Sequence, residues 1–143
     1  MFSLYPILPS RLLDLPFTFE VKGTLRSHIE VGEIGERMAK VYLRRCRAKV
    51  LYRNYRGPHG GELDLVVREG DVLCFVEVKT RKKRIGSRPL DAVNLQKQEL
   101  IERGARAWLK LLPDNDFLWR FDVVEVVLEE GELPLFNWVK EAF

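Results

Sequence analysis

The 143-residue sequence predicts an α/β domain in which helices flank a mixed β-sheet. Two segments carry apolar residues at the three- and four-residue spacing of amphipathic helices. Several shorter segments alternate apolar and polar residues, as half-buried strands do. One of the helices falls between the third and fourth predicted strands. A crossover of that kind allows the two strands to run parallel.

The predicted order of elements is α-β-β-β-α-β-β. Residues 30–46 form the first helix, on which Gly35, Glu36 and Ala39 share one stripe. The small residues of this stripe allow another element to approach Glu36 closely. Residues 48–56 form the first strand, and a loop rich in Gly and Pro follows it.

The next two strands form a hairpin with a two-residue turn at residues 70–71. A polar, basic loop over residues 80–89 then leads to the second helix, residues 91–112, whose first turn suits Pro89. Residues 121–128 form another strand. A last short strand or tail completes the chain.

The hairpin concentrates charge on one face of the sheet. The turn places Asp64 opposite Glu77 and Glu62 opposite Lys79, and strand alternation puts all four side chains on the same side. The other face is apolar, with Leu63, Leu65, Val67, Val76 and Val78, so the hydrophobic pattern specifies the register. Glu62 is either a further metal ligand or the ion-pair partner of Lys79, and the pattern favours the ion pair.

The opposed pair Asp64 and Glu77 suggests a metal site. Two carboxylates about 5 Å apart repel by roughly 3 kcal/mol at an effective dielectric constant of 20. A divalent cation between them would reverse the sign of that interaction. Oxygen ligands without His or Cys favour magnesium or manganese over zinc. Two alternatives stay open: one carboxyl group is protonated, or the register differs and the pair is apart.

Lys79 lies two residues from Glu77 on the same side of its strand. A cation there can hold an attacking water or meet negative charge that develops on a phosphate oxygen. A bound metal can lower the pKa of its water ligand. Carboxylates, metal and lysine together form a minimal apparatus for phosphodiester hydrolysis.

These residues resemble the PD-(D/E)xK nuclease pattern of restriction endonucleases and archaeal Holliday junction resolvases. The chain from about residue 31 to residue 143 also resembles the YraN-type family of small bacterial proteins. The motifs that carry this resemblance are GEIGERMAKVYL, YRNYR, GELDLVV, FVEVKTR, DAVNLQK, RFDVVEV and the terminal EAF.

The resemblance implies a restriction-endonuclease-like core for residues 29–143. It implies that Asp64 and Glu77 are metal ligands, that Lys79 is the catalytic lysine, and that Glu36 is an additional acid near the metal. It also places Lys97 near the scissile phosphate. Leu63 precedes Asp64, at the position where the namesake motif has proline. Many members of the superfamily also lack this proline.

Basic residues cluster in two stretches of the sequence. Residues 37–61 contain eight Lys or Arg and no acid, and residues 79–88 contain six more, whereas residues 114–143 carry eight acids and two bases. A basic half that faces a polyanion explains this pattern better than chance clustering of solvated charge. Besides Lys97, the residues expected to contact nucleic acid are Arg53, Arg56, Arg81, Lys82, Lys83 and Arg84.

The remaining expectations concern setting and partners. Cys46 and Cys74 lie far apart in the sequence without a CxxC motif, which argues against structural zinc and favours a reduced, cytoplasmic protein. No apolar run is long enough for a transmembrane helix. Residues 1–28 read as an extension, either draped on the domain or irregular, and a poor match to a signal peptide.

The sequence favours a magnesium- or manganese-dependent endonuclease acting on DNA that is branched or otherwise structured. The alternative is a nucleic-acid-binding module that keeps the nuclease scaffold without catalysis. DNA is preferred to RNA because no RNA-recognition signature is present. A homodimer is consistent with resolvase-like proteins, which cut paired strands.

Overall fold

The computed structural model describes residues 9–83, 93–114 and 116–143. The elements in chain order are a 3₁₀ helix (Pro9–Asp14), β1 (Glu20–Val21), β2 (Thr24–Leu25), α1 (His28–Arg45), β3 (Lys49–Arg56), β4 (Glu62–Glu69), β5 (Val72–Lys82), α2 (Leu95–Leu109), β6 (Leu118–Leu128) and β7 (Leu135–Val139).

The main sheet has five strands in the order β3-β4-β5-β6-β7. Strands β5 and β6 are parallel and the other neighbours are antiparallel. Helix α2 lies in the connection from β5 to β6, as a parallel pair requires. The predicted mixed sheet, flanking helices and element order are therefore confirmed, and the arrangement is a restriction-endonuclease-like core. The short hairpin β1–β2 in the N-terminal segment was not predicted.

Helix α1 covers one face of the sheet. The hydroxyl of Ser27 caps its first turn by accepting a hydrogen bond from the Glu30 amide at 3.1 Å. Its buried residues Met38 and Leu43 pack in one cluster with apolar residues of β4, β5 and β6. A Cβ atom on Gly35 would overlap the Thr80 hydroxyl, so only glycine allows this contact between α1 and β5. The predicted close approach beside Glu36 is confirmed at Gly35.

Helix α2 covers the opposite face. Ile101, Ala105 and Trp108 form a second cluster with Phe75 and other apolar residues of the sheet. The backbone of α2 touches the start of β4, because a Cβ atom on Gly104 would lie 2.9 Å from the Glu62 amide nitrogen. This contact fixes the distance between Glu62 and the helix.

The described part of the N-terminal segment packs on the domain. Leu13 and Phe17 are buried in the α1-side cluster. Phe17 also exchanges backbone hydrogen bonds with the turn between β6 and β7, through Glu132 and Gly131. Asp14 forms an ion pair with Arg45 at 2.9 Å. No helix in the described residues is both long and apolar enough to cross a membrane.

Three details differ from the sequence-based expectations. Strand β5 continues to Lys82, where a loop was predicted from residue 80, because β6 pairs with it along its whole length. Helix α2 begins at Leu95, later than predicted, and Pro89 lies outside the described residues. Leu63 is buried, but it packs in the α2-side cluster, whereas Leu65 packs on the α1 side.

Candidate active site

The hairpin register is the predicted one. The ladder between β4 and β5 runs from the pair Glu69–Val72 to the pair Leu65–Val76. The next position in this register places Asp64 opposite Glu77. There, an Asp64 side-chain oxygen accepts a hydrogen bond from the Val78 amide at 2.8 Å. This bond holds the Asp64 carboxylate against β5, beside Glu77.

Asp64 and Glu77 form an electrostatically unfavourable pair. The Glu77 side chain is 10 % exposed. Burial and the neighbouring Asp64 carboxylate raise the pKa of Glu77 to about 8. At neutral pH and without a metal, Glu77 is therefore largely protonated. Of the two alternatives left open by the sequence, a shifted register is ruled out, and the raised pKa of Glu77 favours a protonated carboxyl group in the metal-free protein.

Lys97 reaches this pair from the first turn of α2. Its ammonium nitrogen lies 3.5 Å from a Glu77 carboxyl oxygen, and it also forms an ion pair with Glu62. Asn94 fixes the start of the helix, since its side chain accepts a hydrogen bond from the Lys97 amide at 2.8 Å. The predicted position of Lys97 near the site is consistent with this geometry.

The partners of Glu62 differ from the predicted ion pair with Lys79. Its ion pairs are with Lys97 and with Arg56. The hydrogen bond from Lys97, together with the charges of both cations, lowers the pKa of Glu62. Glu62 thus restrains Lys97, and its carboxylate is already balanced by charge.

Glu36 approaches the pair from α1. Burial raises its pKa, and the charges of Asp64 and Glu33 raise it further, which places the Glu36 carboxyl within electrostatic range of Asp64. Among the described residues, however, no three His, Cys, Asp or Glu side chains are grouped so that they could hold a metal ion. The role of Glu36 as a third ligand stays a prediction. Two carboxylates suit magnesium, which commonly binds one or two protein carboxylates and completes its shell with water and substrate phosphate.

Lys79 lies two residues beyond Glu77 on the same side of β5, half-buried. The parallel register aligns it with Glu125 of β6. Glu125 is 2 % exposed and forms an ion pair with Arg81. Glu125 was not among the predicted site residues. Its place as an acid within the apolar run of β6, three residues after Asp122, is the signal that could have identified it.

Most of the basic residues predicted to bind nucleic acid have partners within the chain. Arg56 pairs with Glu62 and Arg81 with Glu125. Lys83 lies 3.7 Å from Glu129, and the Lys82 ammonium lies 4.9 Å from the centre of the Phe19 ring. Residues 81–83 therefore do not belong to the polar, basic loop that was predicted, because β5 continues to Lys82 and the Lys83 amide donates to the Leu128 carbonyl. Arg84 lies outside the described residues.

Arg53 lies in a different environment. It lines a concave pocket between α1 and β3, together with Arg37, Lys40 and Asn54. The volume of this pocket is about 460 Å³. We call these four residues the basic groove. Arg37 and Lys40 were not predicted as binding residues. Their three-residue spacing on α1, in a stretch without acids after Glu36, is the signal that identifies them.

A mixed sheet with a helix on each face, and with two carboxylates and a lysine on its central hairpin, defines the restriction-endonuclease-like class of fold. Within that class, the family described as "Uncharacterised protein family UPF0102" matches residues 35–126. The chain belongs to this family, and the resemblance to YraN-type proteins is confirmed.

Relatives from diverse bacteria cover most of the chain. A UPF0102 protein of Acetivibrio thermocellus is 40 % identical over 125 residues, which are 85 % of this chain and 96 % of the relative. One from Geobacter metallireducens is 40 % identical over 113 residues, 79 % of this chain and 91 % of the relative. One from Chloroherpeton thalassium is 34 % identical over 113 residues, 79 % of this chain and 87 % of the relative.

Proposed function

We propose that this protein is a divalent-metal-dependent nuclease that hydrolyses phosphodiester bonds of branched or otherwise structured DNA. The observation that carries the proposal is the pairing of Asp64 with a Glu77 whose pKa is raised to about 8. A chain selected for stability alone would have little reason to keep a buried acid in contact with a half-buried one. A site that exchanges a proton for a metal ion needs both.

The chain's own residues have separable roles in this proposal. Asp64 and Glu77 would hold magnesium or manganese, and the bound ion would supply an activated water and a positive charge beside the phosphate. Glu77 must first lose its proton. Lys97, 3.5 Å away, favours the ionised form of Glu77 and so opposes the effect of burial. Lys79 would orient the attacking water or meet the negative charge that develops on a phosphate oxygen.

Three considerations support DNA as the substrate. The basic groove lies on the same domain as the carboxylate pair. The positive charge of the chain is concentrated in two stretches, which suits a polyanionic partner. The resemblance to junction resolvases favours a branched substrate and a homodimer that cuts paired strands.

A non-catalytic nucleic-acid-binding module is the second candidate. The chain of contacts from Glu62 through Lys97 to Glu77 supports it, because a lysine already supplies positive charge beside the carboxylates. In that case the site would be stable without a metal. The nucleic acid would then bind through the basic surface alone.

The test begins with calorimetric titration of manganese into the wild-type protein and into Asp64→Asn. We then expect magnesium or manganese to support cleavage of at least one of four labelled DNA substrates: a junction, a flap, a duplex and a single strand. Asp64→Asn and Glu77→Gln should lower that rate by about 10³-fold, because several kcal/mol of charge stabilisation is lost. Glu99→Gln, an exposed acid on α2, is the matched control and should cleave normally.

Each result separates the two candidates. If the wild-type protein binds manganese but cleaves none of the substrates, the nuclease proposal is wrong. If cleavage survives in both Asp64→Asn and Glu77→Gln, the assigned site is wrong. Metal-independent DNA binding that persists in Glu77→Gln, without cleavage by the wild-type protein, would support the binding module.

A further inference from the structure

We infer that the basic groove between α1 and β3 binds the sugar–phosphate backbone of a nucleic-acid strand, independently of its base sequence, and leads that strand to Asp64. This inference deepens the proposed function, because it names the surface that would hold the substrate. The binding part of the inference does not depend on catalysis.

The cations of the groove differ from the other basic residues of the site in having no acidic partner. Within the described parts of the chain, no carboxylate lies within ion-pair distance of Arg37, Lys40, Arg44 or Arg53. Arg56, Arg81 and Lys83, by contrast, are paired. A polyanion would therefore find three unpaired cations together in the groove, whereas at the end of β5 Arg81 and Lys83 are paired and Lys82 lies over the Phe19 ring.

These cations also crowd one another. Burial lowers the pKa of Lys40, and repulsion from Arg53, Arg44 and Arg37 lowers it further. Arg37, Lys40 and Arg53 have no ion-pair partner among the described residues, although Glu33 and Glu36 also line the concavity, and holding these cations close together raises the free energy of the isolated protein. A bound phosphodiester backbone would relieve that repulsion and release its own condensed counterions.

The groove approaches the carboxylate pair from the α1 side, at Asp64. Arg53 pairs with Leu65 and Tyr55 with Leu63 across β3 and β4, so Asn54 lies across from Asp64. Asn54 has a positive φ of 51°, a conformation that Asn tolerates better than most residues and that is enriched at functional sites. At the α1 side, Glu36 lines the same concavity and lies within electrostatic range of Asp64. A strand bound in the groove would thus have a phosphate near Asp64.

The lining determines the class of ligand. Three cations and the Asn54 amide offer hydrogen-bond donors, which suit phosphate oxygens, and the cations outnumber the two carboxylates of the lining, Glu33 and Glu36. Leu65 is the one apolar residue among those that line the concavity in the described structure. Its volume of about 460 Å³ falls within the range of about 300–1,000 Å³ typical of sites for a small ligand, so it would hold a short stretch of one strand.

The test measures binding in the Asp64→Asn background, so that turnover does not interfere. Fluorescence anisotropy with a labelled single strand, duplex and junction, as DNA and as RNA of the same sequence, is recorded from 50 to 200 mM salt. The groove variant is Arg37→Gln/Lys40→Gln. The matched control is Arg106→Gln/Lys110→Gln, which removes two exposed cations from α2.

We expect the groove variant to bind about 25- to 60-fold more weakly at 0.1 M salt. The slope of log K against log salt should also fall by about 1.4–1.8, the effect of two lost phosphate contacts on single or double strands. The control variant should retain the wild-type affinity and slope. Two unrelated base sequences should bind equally well.

The inference is overturned if the groove variant binds like the control, or if the parent protein binds no nucleic acid. It is also overturned if a poly-glutamate peptide binds as tightly as DNA and with the same loss in the groove variant, since the partner would then be an acidic protein. If binding depends on the groove but the wild-type protein cleaves no substrate, this inference stands and the nuclease proposal is wrong. If the wild-type protein cleaves DNA but the groove variant binds normally, the nuclease proposal stands and this inference is wrong.

Discussion

Two clusters of acidic residues lie on opposite faces of the same sheet, one ladder position apart, and they differ in how their charge is balanced. Asp122 pairs with Val76 on the α1 side, and Glu77 is the next residue along β5, on the α2 side. Asp122 is 0 % exposed, yet its carboxylate accepts from Arg120 at 2.8 Å, from the Trp138 indole at 2.9 Å and from the Glu141 amide at 3.0 Å. Asp64 and Glu77 instead face each other.

The difference separates a structural acid from a binding acid. Arg120 also reaches Glu69, and Lys140 joins the same carboxylate, so every charge of the Asp122 cluster has an opposite partner. Such a cluster ties β4, β6 and β7 together and needs no ligand. At the Asp64–Glu77 pair, Lys97 is shared between Glu62 and Glu77. Under the proposed function, a divalent ion would offset the repulsion between these two carboxylates.

The largest expected contrast is in stability. Asp122→Ala should lower the free energy of unfolding by about 3–5 kcal/mol, because it leaves Arg120 and the Trp138 indole without their buried acceptor. Glu77→Gln should cause no loss at pH 7, since it removes an acid that is already protonated. Urea denaturation of both variants at pH 7 measures the difference.

Asp122→Asn is the companion variant, since it keeps an oxygen acceptor and should lose less than Asp122→Ala. Cleavage per folded molecule should stay unchanged in Asp122→Asn and fall in Glu77→Gln. The comparison breaks down if Glu77→Gln proves as destabilising as Asp122→Ala, because the Asp64–Glu77 pair would then be structural.

The pH dependence of stability sharpens the same contrast. The pKa of Glu77 is raised in the folded state to about 8, from an ordinary value of 4.5. The folded protein therefore holds this proton more tightly than the unfolded chain. The stabilisation is fully present below pH 4.5 and is lost as the pH rises to about 8.

Glu77→Gln should remove this loss of folding stability at rising pH, because glutamine does not titrate. We expect the variant to gain roughly 2–4 kcal/mol over the wild type between pH 5 and pH 8.5, since one pKa unit is worth about 1.4 kcal/mol and local relaxation reduces the full value. Manganese should stabilise the wild type alone and close the gap. Parallel stability curves for the two proteins over this pH range would show that Glu77 is not perturbed.

The hairpin was predictable because strand alternation and a short turn leave little freedom. Leu65, Val67 and Val76 must face the core, and that condition sets the register that brings Asp64 to Glu77. The same alternation places Lys79 on the side of Glu77. The small-residue stripe around Gly35 likewise foretold the contact of α1 with β5.

The partners of the long side chains were not predictable in the same way. Arg56, Arg81 and Lys83 look unpaired in a linear sequence, but each of them forms an ion pair in the fold. The position of Lys97 near the site was predicted. The simultaneous contact of its ammonium group with Glu62 and Glu77 was not, because it depends on the contact of Gly104 with β4. These features arise from tertiary contacts that no local pattern encodes.

The smallest effect expected concerns the two helix caps, which affect the two faces of the sheet differently. Ser27 caps α1 and Asn94 caps α2, each by accepting from the third amide of its helix. Ser27→Ala and Asn94→Ala should each cost about 1 kcal/mol of stability. Only Asn94 bonds to Lys97, so only Asn94→Ala should loosen the cation that faces Glu77 and lower metal-dependent cleavage. The test compares the cleavage rates of the two variants at a temperature where both are fully folded. Equal rates would mean that Lys97 is held by its ion pairs and not by the start of the helix.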